Sequence, residues 1–161
     1  MSLIHRAQRS VSITSPYFIP DEALELAITS AALRGVSVEL FVSERADQFM
    51  VHHAQRSYYE ELLEAGVRIW ALPKPFVLHA KYMTVDDSCA VFGSSNMDMR
   101  SFYLDYEVTL LGFGPRFVAD LDDLSQHYRE LSAEITLDRW RRRSLASRYL
   151  DNVMRLTSAL Q

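Results

Sequence analysis

This sequence lacks the features of a disulfide-rich, membrane-spanning or repetitive protein. Its 161 residues include a single cysteine, Cys89, so no disulfide can form within the chain and a reducing, cytosolic compartment suits it. No apolar run reaches the roughly 18–20 residues that a membrane-spanning helix needs, and no signal peptide is recognisable. Internal repeats and low-complexity segments are also lacking. A disulfide-stabilised secreted domain and a transmembrane helix within this stretch are therefore excluded.

Positive charge is in deficit as well. Seventeen Lys and Arg residues stand against 21 Asp and Glu residues, and the formal net charge is −4. Proteins that bind duplex nucleic acid usually carry a basic excess, so this balance argues against that class without excluding a local positive site. The remaining composition, 48% hydrophobic and 24% charged, is that of a soluble globular domain. The length suits one domain with a proper core.

The first three residues, Met1-Ser2-Leu3, have the character of an artificial start. The pattern of a strand follows them almost at once. We therefore expect residues 4–161 to form one domain cut from a longer protein, whose missing part could hold membrane-spanning segments.

Strand and helix patterns alternate in the first half of the chain. Helices are predicted from the N-cap residue Asp21 to Gly35 and from about Gln48 to Glu64. Apolar alternation and short apolar runs predict three strands, over Ser10–Phe18, Val36–Val42 and Val67–Leu72. This β-α-β-α-β order predicts right-handed crossovers and a largely parallel sheet.

The alternation of strand and helix patterns ends after Pro73 and Pro75. The runs Leu78–Val85 and Cys89–Gly93, joined by turn residues, predict a hairpin in which Cys89 is a small buried residue. A further strand is predicted over Tyr106–Leu111. Helices are predicted over Pro115–Ala133 and, as one or two segments, from about Leu137 to Leu156. Together the patterns predict one mixed α/β sandwich with a helical tail.

The segment HAKYMTVDDSCAVFGSSN, residues 79–96, holds side chains that suit a phosphate. Residues two apart in a strand share a face, so His79 and Lys81 are predicted to project together. Gly93 permits a close approach of the backbone, and Ser94 can donate a hydrogen bond. Lys81 and Asn96 would stabilise the oxygens of a phosphoryl group in transfer, and His79 would act as nucleophile or proton carrier. Taken singly, each residue also has an ordinary interpretation as a partly buried polar, solvated or turn residue.

The combined spacing resembles the phospholipase D superfamily, whose signature is H-x-K-x(4)-D followed closely by G-S-x-N. The chain supplies this signature complete, in His79, Lys81, Asp86, Gly93, Ser94 and Asn96. The flanking segments TSPYFIPDEALELAITSAALRGV, RSYYEELLEAGVRIW, GSSNMDMRSF and ITLDRWRRRSL are similar to the second catalytic half of bacterial cardiolipin synthases. This resemblance covers nearly the whole chain. It implies a phospholipase D-like mixed β-sheet flanked by helices, with a helical C-terminal tail.

The resemblance implies a site built from paired halves, each with one histidine. One histidine attacks phosphorus to give a phosphohistidine, and the other protonates the leaving alcohol and then activates the acceptor. His79 would be one of that pair, while Lys81, Ser94 and Asn96 would bind the phosphate oxygens. Asp86, near a turn, would orient rather than carry protons. The resemblance implies no metal and no other cofactor, although Asp86, Asp87 and Glu107 could mimic a cation site.

The resemblance also points to Glu107, in FYLDYE, as the carboxylate that accepts the other ring N–H of the histidine and fixes its tautomer. The alternative is an exposed acid on an edge strand. At Asp105 the sequence departs from the asparagine more usual in synthases, which adds a negative charge two residues away. His52 and His53 fall in a predicted helix and are expected to be surface or packing residues.

One histidine cannot easily be both nucleophile and leaving-group acid, because the two lie on opposite sides of an in-line displacement. The chain is therefore expected to be half of a site, with little or no activity unless it dimerises symmetrically. The role of general acid/base is favoured for His79, because in some two-half relatives the first-half histidine is the nucleophile, and the nucleophilic role stays open. The implied reaction converts two phosphatidylglycerols to cardiolipin and glycerol, with the N-terminal half of the same protein, or a symmetric copy, as partner. The parent protein is expected at the cytoplasmic side of a bacterial inner membrane, and the fragment itself is expected to be soluble.

Two other functions compete with this one. The first is a homodimeric phosphodiesterase or nuclease of the same superfamily, which the acidic balance and the synthase-like flanks oppose. The second is a non-catalytic half, which the intact histidine, lysine and asparagine oppose. A separate basic cluster, RWRRR over Arg139–Arg143, either rests against anionic lipid head groups or pairs with nearby acids.

Overall fold

The computed structural model describes residues 1–44 and 48–157. The strands are β1 (Ser10–Thr14), β2 (Phe18–Ile19), β3 (Ser37–Ser43), β4 (Arg68–Leu72), β5 (Tyr82–Val85), β6 (Cys89–Gly93), β7 (Met97–Asp98), β8 (Thr109–Phe113) and β9 (Ala133–Ile135). The helices are α1 (Ser2–Arg6), α2 (Glu22–Leu33), α3 (Phe49–Ser57), α4 (Tyr59–Glu64), α5 (Met99–Tyr103), α6 (Pro115–Leu131), α7 (Leu137–Arg141) and α8 (Leu145–Arg155).

A seven-stranded mixed sheet in the order β8-β6-β5-β1-β3-β4-β9 organises the molecule. The strands β1, β3 and β4 are parallel, as predicted from the β-α-β-α-β order. The other four pairings are antiparallel. The prediction of a mixed α/β fold is thus confirmed, whereas the prediction of a largely parallel sheet is wrong. The reason is that the second half of the chain adds its strands through a hairpin and through antiparallel returns.

The central strand β3 is buried along nearly all its length, which is typical of a sheet covered on both faces. Its one acid, Glu39, is 8% exposed and is neutralised by two arginines. Arg68 Nη2 lies 2.9 Å from its carboxylate, and Arg129 of α6 forms a second ion pair with it. Trp70 Nε1 donates a further hydrogen bond over 3.1 Å. A buried charge is tolerated when it is paired in this way, and the pairing ties α6 to the sheet.

The predicted strand over Ser10–Phe18 is wrong in its second half. Pro16 lacks the N–H that a central strand requires, and Ser15 Oγ donates to the carbonyl of Tyr17 over 2.6 Å. The chain therefore leaves the sheet after β1, and β2 pairs in parallel with β7 in a separate two-stranded sheet. Met97 N–H donates both to the Tyr17 carbonyl and to Ser15 Oγ. The loop that precedes β7 is thereby fastened to the end of β1.

The structure confirms the predicted helices with one exception. Asp21 caps α2, since its Oδ1 accepts from Leu24 N–H over 2.8 Å, and Gly35 follows the helix with φ of +89°. The single helix predicted from about Gln48 to Glu64 is wrong: it is interrupted at Tyr58, between α3 and α4. The tail consists of two helices, α7 and α8. In the described part of the chain, no helix is long and apolar enough to cross a bilayer.

Two strands begin later than predicted. The run Leu78–Val85 becomes regular only at Tyr82, and the run Tyr106–Leu111 is replaced by Thr109–Phe113. The residues of greatest chemical interest, His79, Lys81 and Glu107, consequently lie in the segments that lead into β5 and β8 rather than within strands.

Candidate active site

The segment that carries His79 and Lys81 lies beyond the carboxyl end of β1, because Tyr82 pairs with Thr14, the last residue of that strand. Ligands in open α/β sheets bind at such an edge. The segment is anchored by Leu78, which is buried and whose N–H donates to Ser43 Oγ over 2.9 Å. His79 itself is exposed. Lys81 Nζ donates to the His79 carbonyl over 3.0 Å and lies 3.4 Å from Nδ1 of the imidazole. The structure thus brings the imidazole and the ammonium into contact outside a regular strand.

Glu107 is held beside this pair by Ser94. Gly93 N–H donates to the carbonyl of Lys81 over 3.2 Å, and a Cβ at Gly93 would run into the carbonyl oxygen of Val108. Only glycine permits this close approach. Val108 N–H donates to Ser94 Oγ over 3.0 Å, and Ser94 Oγ donates its one proton to the Glu107 carboxylate. The hydroxyl of Ser94, predicted to bind phosphate, is therefore engaged with Glu107 in this structure.

Asn96 lies in the loop that β2 and β7 fasten to the end of β1. Its N–H donates to Ser101 Oγ over 3.2 Å, and its side chain also hydrogen-bonds the Asp98 carboxylate. The amide oxygen, Oδ1, is buried and has no hydrogen-bond partner among residues 1–44 and 48–157. A buried acceptor without a donor costs roughly 1–3 kcal/mol. The Asn96 side chain is therefore not fully hydrogen-bonded within the described part of the chain.

Asp98 is a site residue that the sequence analysis did not identify. It is buried and caps α5, since its Oδ1 accepts from Ser101 N–H over 2.7 Å. Burial raises the pKa of Asp98, and hydrogen bonds from Ser101 and Asn96 partly oppose this. Its position directly before a short helix, close to GSSN, was the available signal.

Lys81 interacts electrostatically with two acids of the candidate site. Partial burial lowers the pKa of its ammonium, and the negative charges of Glu107 and Asp98 oppose that shift. We call these residues the histidine cluster: His79, Lys81, Ser94, Asn96, Asp98 and Glu107. The cluster combines a titratable nitrogen, a cation and an amide, which suit an anionic phosphoryl group.

Asp86 is not part of the histidine cluster. It follows β5 at the end remote from Lys81, so the four residues of β5 lie between them and five residue steps, roughly 16 Å, separate the two positions. Its carboxylate accepts backbone N–H groups of Gln8, Arg9 and Ser10 at 3.2, 2.8 and 3.0 Å. The adjacent Asp87 pairs with Arg9. Among the described residues no group of three or more His, Cys, Asp or Glu side chains is placed to hold a metal ion.

The predicted hydrogen bond between Glu107 and His79 is not formed in this structure. Within residues 1–44 and 48–157, the Glu107 carboxylate bonds Ser94, and the His79 ring contacts Lys81. Asp105, the departure from the family pattern, pairs with Arg100 over 3.2 Å. Its charge also raises the pKa of Asp98, though less than burial does.

Residues predicted to lie outside the site do so. His53 of α3 packs against α8, with its Nδ1 2.7 Å from Asp151 Oδ1. The basic cluster divides: Arg141 pairs with Glu60 and Glu64, and Arg143 pairs with Asp151. Arg139 and Arg142 form no ion pair with any described residue.

Comparison with known proteins gives a consistent set of relatives. A family model described as "Cardiolipin synthase, PLD-like domain" matches residues 1–129. Cardiolipin synthase of Halalkalibacterium halodurans is 42% identical over 159 residues, which are 99% of this chain but 31% of that protein. The chain thus spans about a third of the length of the curated relatives it matches.

Solved structures agree on the fold. Phosphatidylserine synthase of Haemophilus influenzae superposes with a TM-score of 0.77 at 18% identity, over 99% of this chain and 43% of that one. Nuc of Salmonella typhimurium, a phospholipase D family member, superposes with a TM-score of 0.72 at 19% identity, over 84% of this chain and 87% of that one.

Proposed function

The chain belongs to the family of phospholipase D-like domains of cardiolipin synthases, and from this membership we propose that it is the second catalytic half of a phosphatidyltransferase that makes cardiolipin. The resemblance drawn from the motif and its flanks is confirmed, and so is the phospholipase D-like fold. One observation supports the activity most directly. In a chain of this family, the motif residues His79, Lys81 and Asn96 belong to one electrostatically linked cluster at the carboxyl edge of the sheet.

In the proposed mechanism, the substrate phosphodiester lies against the histidine cluster. Lys81 and the Asn96 amide bind its oxygens and stabilise the charge that grows on them during transfer. One histidine nitrogen bonds to phosphorus while the bond to the leaving glycerol oxygen breaks, and the second histidine gives that oxygen its proton. The hydroxyl of a second phosphatidylglycerol then bonds to phosphorus, gives its proton to the second histidine and displaces the first. We favour the proton-carrying role for His79.

The partner in this proposal is the other catalytic half of the same longer protein. This chain contributes one histidine to its cluster, and the displacement needs two groups on opposite sides of phosphorus. The relatives are about three times as long as the chain, which leaves room for a second domain of this size. The proposed substrate is phosphatidylglycerol, which is a membrane lipid. We propose that the complete protein acts at the cytoplasmic face of the inner membrane.

Substitution of His79 in the complete two-half protein tests the activity. We expect H79N to lower cardiolipin formation from phosphatidylglycerol vesicles by about 100-fold or more, because proton transfer by a positioned group contributes on that order. H127N, which changes an exposed histidine of α6, is the matched control and should leave the rate unchanged. The 161-residue chain alone, shown to be monomeric, should transfer little or nothing. Retained synthesis in H79N, or a robust rate from the monomer, would contradict the proposal.

A homodimeric phosphodiesterase is the second candidate. The observation in its favour is that this chain superposes on 87% of Nuc, a protein of comparable size. The test is incubation of the chain with plasmid DNA without added metal. Cleavage that H79N abolishes would favour this candidate over the lipid transferase.

A further inference from the structure

A cavity outside the histidine cluster lies where α3, α7 and β9 meet the carboxyl ends of β3 and β4. Its volume is about 320 Å³. We call it the Trp140 pocket, and its lining includes Ser43, His52, Arg56, Arg139, Trp140 and Arg143. Apolar groups from Ala71 and Ile135 complete the walls. The pocket therefore joins an apolar wall to a set of nitrogen donors.

Trp140 supplies a hydrogen-bond donor that the fold leaves unused. The residue is 7% exposed, and its Nε1 is buried without an acceptor in the described structure. Its ring contacts two guanidinium groups, with Arg143 at 3.4 Å and Arg56 at 5.1 Å from the ring centroid. Tyr59 packs against the same ring at 5.0 Å. A buried indole N–H normally finds a partner, so this residue of the pocket lining keeps one unsatisfied donor within the described structure.

The charges around this donor favour an anion. Arg139 forms no ion pair among residues 1–44 and 48–157, so its guanidinium is available to a ligand. Arg143 and Arg56 share the buried carboxylate of Asp151 and remain fixed beside the pocket. Two acids also line the pocket: Glu134 lies 3.8 Å from Arg68, and the Glu44 carboxylate, which keeps its charge, accepts from Lys74 N–H over 3.3 Å.

The pocket also adjoins the histidine cluster. Ser43, one of its lining residues, accepts from Leu78 N–H over 2.9 Å, and Leu78 precedes His79. An anion in the pocket would therefore lie on the same edge of the sheet as a phosphodiester at His79.

We propose that the Trp140 pocket binds a phosphate group, separate from the one transferred at His79, through the Trp140 N–H and the Arg139 guanidinium. The ligand class is a phosphate ester or free phosphate. Its apolar wall favours an ester with a short carbon substituent, such as the glycerophosphate of a lipid head group. This binding does not depend on the reaction at His79 and would hold equally for a phosphodiesterase.

Trp140 fluorescence provides a direct test. The chain has two tryptophans, so the variant W70F leaves Trp140 as the only indole reporter. In W70F, titration with sn-glycerol 3-phosphate should change the fluorescence saturably, with a dissociation constant of about 1 mM or tighter. Adding R139Q should weaken binding by about tenfold or more, because a hydrogen bond between charged groups is lost. Adding R142Q, which removes a neighbouring exposed guanidinium outside the pocket, should change it less than about twofold.

Several outcomes would overturn the proposal. The absence of a saturable change with both inorganic phosphate and glycerol 3-phosphate would do so, and so would equal weakening by R139Q and R142Q. Titration of inorganic phosphate, glycerol 3-phosphate and phosphatidylglycerol vesicles in parallel distinguishes a free-phosphate site from a head-group site. If W70F does not fold, calorimetric titration of the unchanged chain and of its R139Q and R142Q variants gives the same comparison.

Discussion

The Asp86 carboxylate receives hydrogen bonds from three successive backbone amides, those of residues 8–10. Burial pushes the pKa of Asp86 up, but these amides outweigh burial and lower it. Its backbone has φ of +51°, a conformation that Asp and Asn adopt more readily than other non-glycine residues. At the residue scale, Asp86 therefore joins the hairpin turn to the start of β1, and we expect its effect on His79 and Lys81 to pass through the position of β5.

We expect D86A to lower the free energy of unfolding by roughly 1–3 kcal/mol, since three amides lose an ionised acceptor. D86N keeps one acceptor oxygen and tolerates the same backbone conformation, so it should cost less. Because the folded-state pKa is depressed, this stabilisation is present at neutral pH and is lost as pH falls through that pKa. Urea denaturation of both variants measures these effects.

In the complete protein, activity per folded molecule should be unchanged by D86A. A loss of transfer activity larger than the loss of folded protein would show instead that Asp86 takes part in the chemistry.

At the scale of elements, α3 brings two histidines and an arginine against one acid of α8. His52, His53 and Arg56 lie within two turns, and the buried Asp151 faces them. Burial lowers the pKa of His52 to about 4, and the charges of Arg56, His53 and Lys74 act in the same direction, against a smaller opposing effect of Asp151. In the folded protein His52 is therefore neutral at physiological pH.

The lowered pKa of His52 makes the folded chain less stable as the pH falls. The unfolded chain binds a proton at His52 with the usual pKa of 6.5, and the folded chain does so only near about 4. Below pH 6.5 the unfolded state binds more protons, so stability falls as pH falls from 6.5 toward 4. H52Q should remove this part of the loss, roughly 1 kcal/mol after allowance for solvent screening.

Thermal denaturation of the wild-type chain and of H52Q at pH 7 and pH 5 checks the expectation. H127N is again a useful control, because it removes an exposed histidine. Parallel pH dependences for the wild type and H52Q would contradict the assignment.

At the scale of the whole molecule, one end of the sheet is covered with exposed apolar side chains. These side chains lie in and just before β8, on both sides of the strand, and we call them the β8 edge: Phe102, Tyr103, Leu104, Tyr106, Val108, Leu110, Leu111 and Phe113, which are 36–107% exposed. Patches of this kind mark interaction sites. Glu107 of the histidine cluster lies among them, so a domain that packs here would approach His79. We propose that the β8 edge receives the other catalytic half.

L110E should therefore weaken the association of the two halves and lower cardiolipin formation, by about tenfold or more if Leu110 lies near the centre of the contact. The matched control is L145E, which changes a more exposed leucine at the start of α8. Size-exclusion chromatography and circular dichroism separate lost association from lost folding. Equal effects of L110E and L145E would place the contact elsewhere.

Local signals predicted much of this molecule. Asp21 and Gly35 bound α2 because capping and positive φ are properties of single residues, and the two-residue spacing of His79 and Lys81 brings them together even outside a strand. Pairings between distant segments could not be predicted. The amides that bind Asp86 come from residues 8–10, and β7 and β9 are two and three residues long with partners far away in sequence. The same holds for Glu107, whose bond to Ser94 depends on how β8 approaches Gly93.

The order of the strands has a practical consequence. The strand β8 forms one edge of the seven-stranded sheet, and among the described residues no further strand pairs with its outer side. An apolar edge of this kind templates the addition of strands from other chains and promotes aggregation. Produced without the proposed companion half, the chain should aggregate at lower concentrations than the co-expressed pair does, and Lys substitutions along that edge should raise the concentration at which it stays in solution.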